Sequence, residues 1–131
     1  MNIVVPKMKI NCEASEELVR NVVSKLKEEP DSFAILSKDE TNYVQVLMTE
    51  NGFMVQFQNG SLNEHYEFDT YLSRPKAISI MLAYLNSDDI WQGELSYSKI
   101  NTGGFAWSLG LRVGRFFGGL CRGFKEARQK T

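Results

Sequence analysis

Between residues 33 and 72, apolar and polar positions alternate in short runs separated by polar joints. The runs are Phe33–Ser37, Tyr43–Thr49, Phe53–Gln58 and Glu64–Thr70. Asn51-Gly52 and Asn59-Gly60 separate the last three, and the polar stretch Lys38-Asp39-Glu40-Thr41-Asn42 separates the first two. Asn-Gly favours the type I′ hairpin turn, whose two central residues both need positive φ. The pattern therefore predicts an antiparallel meander. Side chains in a strand alternate between faces. Phe53, Val55 and Phe57 thus point one way, and Met54, Gln56 and Gln58 the other. Tyr66 and Phe68 repeat the alternation, with His65, Glu67 and Asp69 opposite. Tyr43–Met48 is apolar on both faces apart from Gln45, which predicts a central strand covered on both sides.

Two helical patterns flank this region. Ser15 reads as an N-cap, with Glu16 and Glu17 in the first turn, where the helix dipole favours carboxylates. Leu18, Val19, Val22, Val23 and Leu26 then recur at helical spacing and Pro30 stops the run, which predicts a helix over 15–28. Ser73-Arg74-Pro75 opens a second helix over 74–86, with Ala77, Ile78, Met81, Leu82 and Leu85 as its apolar face. Ser87-Asp88-Asp89 caps a short turn carrying Ile90 and Trp91, and Glu94–Ile100 reads as another strand. Ile3–Ile10, interrupted by Pro6, reads as an edge strand. The fold class expected is α+β: a mostly antiparallel sheet of about five strands with two helices on one face.

The C-terminal pattern is different. After a joint at residues 101–104, Phe105, Leu109, Val113, Phe116, Leu120 and Phe124 fall within a sector of about 100° on a helical projection. Ser108, Arg112, Arg115, Arg122 and Glu126 lie outside that sector. Such a helix would be about 35 Å long if continuous. Gly110, Gly114, Gly118, Gly119 and Gly123 disfavour it in isolation by about 4–5 kcal/mol, so it needs a contact to form. The chain is thus expected to divide into one α+β domain over 1–100 and a flexible joint with a basic amphipathic, glycine-rich helix over 101–131. Three contacts fit the pattern: the segment's own domain, a protein partner or second copy, and a membrane surface. Trp107, Leu111, Arg112, Arg115, Phe116, Phe117, Arg122 and Phe124 form the candidate interaction surface.

Charge sharpens this division. Residues 112–131 hold six basic side chains against one acidic, a net of +5, while the other 111 hold nine basic against fifteen acidic, a net of −6. An acidic body would be repelled by phosphate, so nucleic acid is an improbable partner. The chain's 131 residues bound one domain of ordinary size. Two cysteines, Cys12 and Cys121, do not indicate a disulfide framework. No secretory signal and no run of 18 apolar residues is visible, so the expected location is cytoplasmic, or peripheral at a membrane.

Candidate chemistry is sparse. His65 is the one histidine, and Glu67 or Asp69 could serve it as a base partner, but nothing in the sequence supplies a nucleophile. Asp88-Asp89 could hold a cation or act as an acid/base pair, but a capping turn is the favoured reading of the pair. The glycines match no phosphate-loop or dinucleotide spacing. Neither a catalytic set nor a metal or cofactor is expected.

The elements Ile35-Leu36, Tyr43-Val44-Gln45, Asn59-Gly60, His65-Tyr66 and Tyr84-Leu85-Asn86-Ser87-Asp88-Asp89-Ile90-Trp91 resemble the shared pattern of a group of small bacterial proteins. The resemblance covers residues 33–100. Similar small α/β proteins occur as immunity proteins of polymorphic-toxin systems. The resemblance implies a non-enzymatic protein-binding function, with no catalytic residues to carry over and no counterpart for the C-terminal segment. The alternative is a peripheral membrane or self-assembling protein acting through that segment. A small enzyme around His65 is the third reading.

Overall fold

The computed structural model describes residues 1–61 and 64–100. Seven strands form one antiparallel sheet: β1 (Asn2–Val5), β2 (Ile10–Glu13), β3 (Phe33–Ser37), β4 (Asn42–Thr49), β5 (Gly52–Asn59), β6 (His65–Phe68) and β7 (Tyr97–Lys99). Their spatial order is β2-β1-β3-β4-β5-β6-β7, which makes β4 the central strand. Helices α1 (Glu16–Lys25) and α2 (Arg74–Leu85) complete the α+β fold.

The sheet has seven strands where the sequence predicts about five, and the strand that no sequence segment had named comes from the N-terminus. Residues 3–10 do not form one edge strand. Pro6 opens a 3-10 turn over Pro6–Met8, and Lys9 turns the chain back at φ 56°. A proline has no N–H for a ladder, and its fixed φ suits the first position of such a turn. The result is a hairpin in which β1 is internal and β2 is the edge.

The meander forms as predicted, but not with type I′ turns. Glu50 and Asn51 connect β4 to β5, and positive φ falls on Gly52 (120°) rather than on Asn51. A Cβ at Gly52 would lie 3.0 Å from the carbonyl oxygen of Leu72, which bridges to Phe53 at this corner. Between β3 and β4, an Asp39 carboxylate oxygen accepts from the backbone N–H groups of Thr41 and Asn42, both at 2.8 Å. These bonds, the Thr41 one foremost, hold the Asp39 carboxyl below its ordinary value.

Both helices pack on one face of the sheet. Val19, Val22, Val23 and Leu26 meet Ile3, Val5, Ala34, Leu36, Val44, Val46, Phe53, Val55 and Phe57 in one core. Ser15 caps α1 as expected, its Oγ accepting from the Leu18 N–H at 3.1 Å. The helix stops at Lys25, earlier than the sequence predicts, because Leu26 turns extended and buries itself. Arg74 closes this end: its Nη1 donates to the carbonyls of Val23 at 2.6 Å and Leu26 at 2.9 Å. A cation there also complements the helix dipole.

Helix α2 buries Ala77, Ile80, Met81 and Tyr84; Ile78, Leu82 and Leu85, assigned to the core from spacing, are half-buried. Apolar residues lie around most of this helix, so spacing alone does not choose the buried side. Past it, Trp91 is buried against Phe57, Phe68 and Tyr84, with ring centroids 5.1–6.2 Å apart. Strand β7 is only three residues long, shorter than the predicted 94–100.

Candidate binding surface

The second face of the sheet follows from register. Since the helices take Ala34, Leu36, Val44, Val46, Val55 and Phe57, the alternate positions face away from them. Three cross-strand rows result. One runs Ser37, Tyr43, Gln58, His65; the next Ile35, Gln45, Gln56, Glu67, Ser98; the third Phe33, Leu47, Met54. Directly opposed residues of this kind are side-chain neighbours.

This face is amphipathic. Phe33 and Ile35, with Tyr43 and Leu47 against them, make a small apolar group separate from the main core. Gln45, Gln56, Gln58 and His65 are 2–3 % exposed. Every buried side chain of α1 and α2 belongs to the opposite core, and the second-face apolar group draws only on β3 and β4. Polar groups withdrawn from water need partners. The Tyr43 hydroxyl and His65 Nε2 share a hydrogen bond of 3.1 Å. Gln56 Nε2 donates to Glu67 Oε1 at 2.8 Å, while Gln56 Oε1 has no partner among the described residues. Burial pushes the Tyr43 hydroxyl up to about 12 and holds the His65 imidazole below its ordinary value.

A cavity of about 430 Å³ lies at one end of this face. Phe33 and Leu47 contribute to its lining, as do Met48 and Pro30, and its acids are Glu28, Glu29, Asp31 and Glu50. The antiparallel register explains the gathering. The start of β3 lies beside the end of β4, so the segment 28–31 that precedes β3 meets the β4–β5 turn carrying Glu50.

The sequence-derived catalytic candidates are not assembled. His65 is bonded to Tyr43, Glu67 to Gln56, and Asp69 accepts from Ser98 Oγ at 2.6 Å. Asp88 caps a turn, its Oδ1 accepting from the Ile90 N–H at 3.0 Å. Among the described residues no group of three or more His, Cys, Asp or Glu side chains could hold a metal ion. No helix among them is long and apolar enough to cross a membrane. The candidate surface read from Trp107, Leu111, Arg112, Arg115, Phe116, Phe117, Arg122 and Phe124 lies outside the described residues, as does the predicted glycine-rich helix.

The chain matches no model of a known protein family, no characterised protein and no solved structure.

Proposed function

We propose that this protein is a non-enzymatic binding module that takes a basic, amphipathic protein segment on the second face of its sheet, in the manner of a bacterial immunity protein that holds a toxin. The observation that carries this reading is the acid-rimmed cavity whose apolar floor, Phe33 and Leu47, continues onto the sheet face. Carboxylates at the rim speed the approach of a cationic partner and fix its orientation. The apolar and aromatic groups supply the desolvated centre.

The test is protection in cells. The gene is co-expressed with the toxic product of a neighbouring gene, and survival is compared with that of a Glu28→Lys/Glu29→Lys/Glu50→Lys variant. Protection by the native chain, lost in the variant at equal protein level, is expected. Equal survival with and without the native chain contradicts the reading.

A second reading is favoured by the alternation of aromatics and arginines from Phe105 to Phe124: attachment of that segment to an anionic membrane surface. Co-sedimentation of the full chain with phosphatidylserine vesicles tests it. Sedimentation lost in Arg112→Glu/Arg115→Glu/Arg122→Glu would support it, and the absence of sedimentation by the native chain would exclude it.

A further inference from the structure

We infer that the occupant of the second face at rest is the chain's own segment 105–124, bound in cis, so that an external partner must displace it. The inference rests on the reading of that face as a binding surface.

Four observations converge. The first is position. Strand β7 is the last in the sheet and ends at Lys99, so the described chain ends at Ile100 at the sheet's rim. From β7 to β2 there are six strand spacings, about 29 Å at about 4.8 Å each. Twenty residues of helix span about 30 Å. The segment can therefore cross the whole face, with residues 101–104 as slack.

The second is charge. Arg112, Arg115 and Arg122 within the segment, with Lys125, Arg128 and Lys130 just beyond it, complement a body of net −6. Glu28, Glu29, Asp31 and Glu50 line the cavity at the β3–β4 end, toward which a segment starting from β7 must run.

The third is surface chemistry. Phe33 and Ile35 are nearly closed from solvent, at 4 % and 3 % exposure, although the buried side chains of both helices belong to the opposite core. The stripe Phe105, Leu109, Val113, Phe116, Leu120 and Phe124 is an apolar complement to this group, whose Tyr43 and Leu47 are only partly buried.

The fourth is the unpartnered acceptor Gln56 Oε1 in the middle of this face, in a side chain 3 % exposed. A donor from an overlying segment would satisfy it.

Photo-crosslinking of the full chain tests the inference. p-Benzoylphenylalanine is introduced at Leu47, on the floor of the cavity, or at Ile90, which is 72 % exposed, as the control. Light and heavy-isotope chains are mixed before irradiation. Position 33 serves if circular dichroism shows the Leu47 variant unfolded. The expected result is crosslinks from position 47 to peptides within 105–124 of the same chain, unchanged on tenfold dilution. They should fall several-fold in Arg112→Glu/Arg115→Glu/Arg122→Glu. No crosslink into 105–124 overturns the inference, and so do crosslinks only between light and heavy chains, which would make a second copy the occupant. Cis crosslinks without protection in cells would leave this inference standing and remove the toxin-binding reading alone.

Discussion

The Tyr43 hydroxyl and His65 Nε2 meet at 3.1 Å above Gln58, which lies between them in the sheet, so one hydrogen bond ties β4 to β6 across β5. The pair makes the stability of the fold pH-dependent. Burial holds His65 below the usual 6.5, so below that pH the unfolded chain binds a proton that the folded chain resists. Stability is therefore full above 6.5 and is lost as pH falls through the lower folded value. Urea unfolding between pH 8 and 5 should show this decline, and His65→Gln should flatten it. At the alkaline end, Tyr43 keeps its proton up to about 12 against a usual 10.0, so its stabilisation is lost as pH rises from 10 towards 12. Tyr43→Phe should remove that alkaline loss and, by leaving Nε2 unpartnered, cost about 1–3 kcal/mol at neutral pH.

Arg74 joins three elements. Its guanidinium donates to two carbonyls at the end of α1, sits 5.3 Å from the Phe53 ring centroid, and belongs to the first turn of α2. Arg74→Met should cost about 2–4 kcal/mol in urea unfolding, because two carbonyls at the α1 terminus lose a charged donor. Arg74→Lys should recover only part of this, since an ammonium lacks the planar fork.

The aromatic cluster gives a graded prediction. Trp91 is buried, and its Nε1 has no partner among the described residues. Trp91→Ala should cost about 3–5 kcal/mol by leaving a cavity beside Phe57. Trp91→Phe should cost much less, since it removes an unsatisfied donor along with part of the ring. Thermal unfolding by circular dichroism would separate the two, and equal losses would contradict this packing.

Two glycines with positive φ differ in their surroundings. A Cβ at Gly60 (φ 95°) meets nothing within 4 Å, whereas one at Gly52 (φ 120°) is forced against the Leu72 carbonyl. Gly60→Ala should cost about 1 kcal/mol from backbone strain alone. Gly52→Ala should cost clearly more, and chemical denaturation of both variants measures the difference.

Much of this fold is written in local chemistry, and the exceptions share a cause. The Ser15 and Ser73 caps and the alternation along Phe53–Phe57 act within a few residues, and each is found as read. The buried side of α2 is set instead by what packs against it, because Ile78, Leu82 and Leu85 are as apolar as the residues that win. Pro6 identifies a break in the chain but not that the break is a hairpin. The acid-rimmed cavity joins Glu28 to Glu50 and exists only once β3 and β4 are in register. A signal for it was nonetheless present: in any meander the residues before one strand lie beside the turn that ends the next. His65 was visible as the one histidine, but its partner Tyr43 is 22 residues away and follows from strand order alone.

His65 is also the natural reporter for the proposed occupancy of the second face by segment 105–124. Nuclear magnetic resonance titration of its imidazole in the full chain gives one signal from the middle of that face. Its pKa should lie below 6.5 in the native chain and move towards 6.5 when Arg112→Glu/Arg115→Glu/Arg122→Glu releases the occupant. An ordinary value near 6.5 in the native chain, unchanged in the variant, would contradict it.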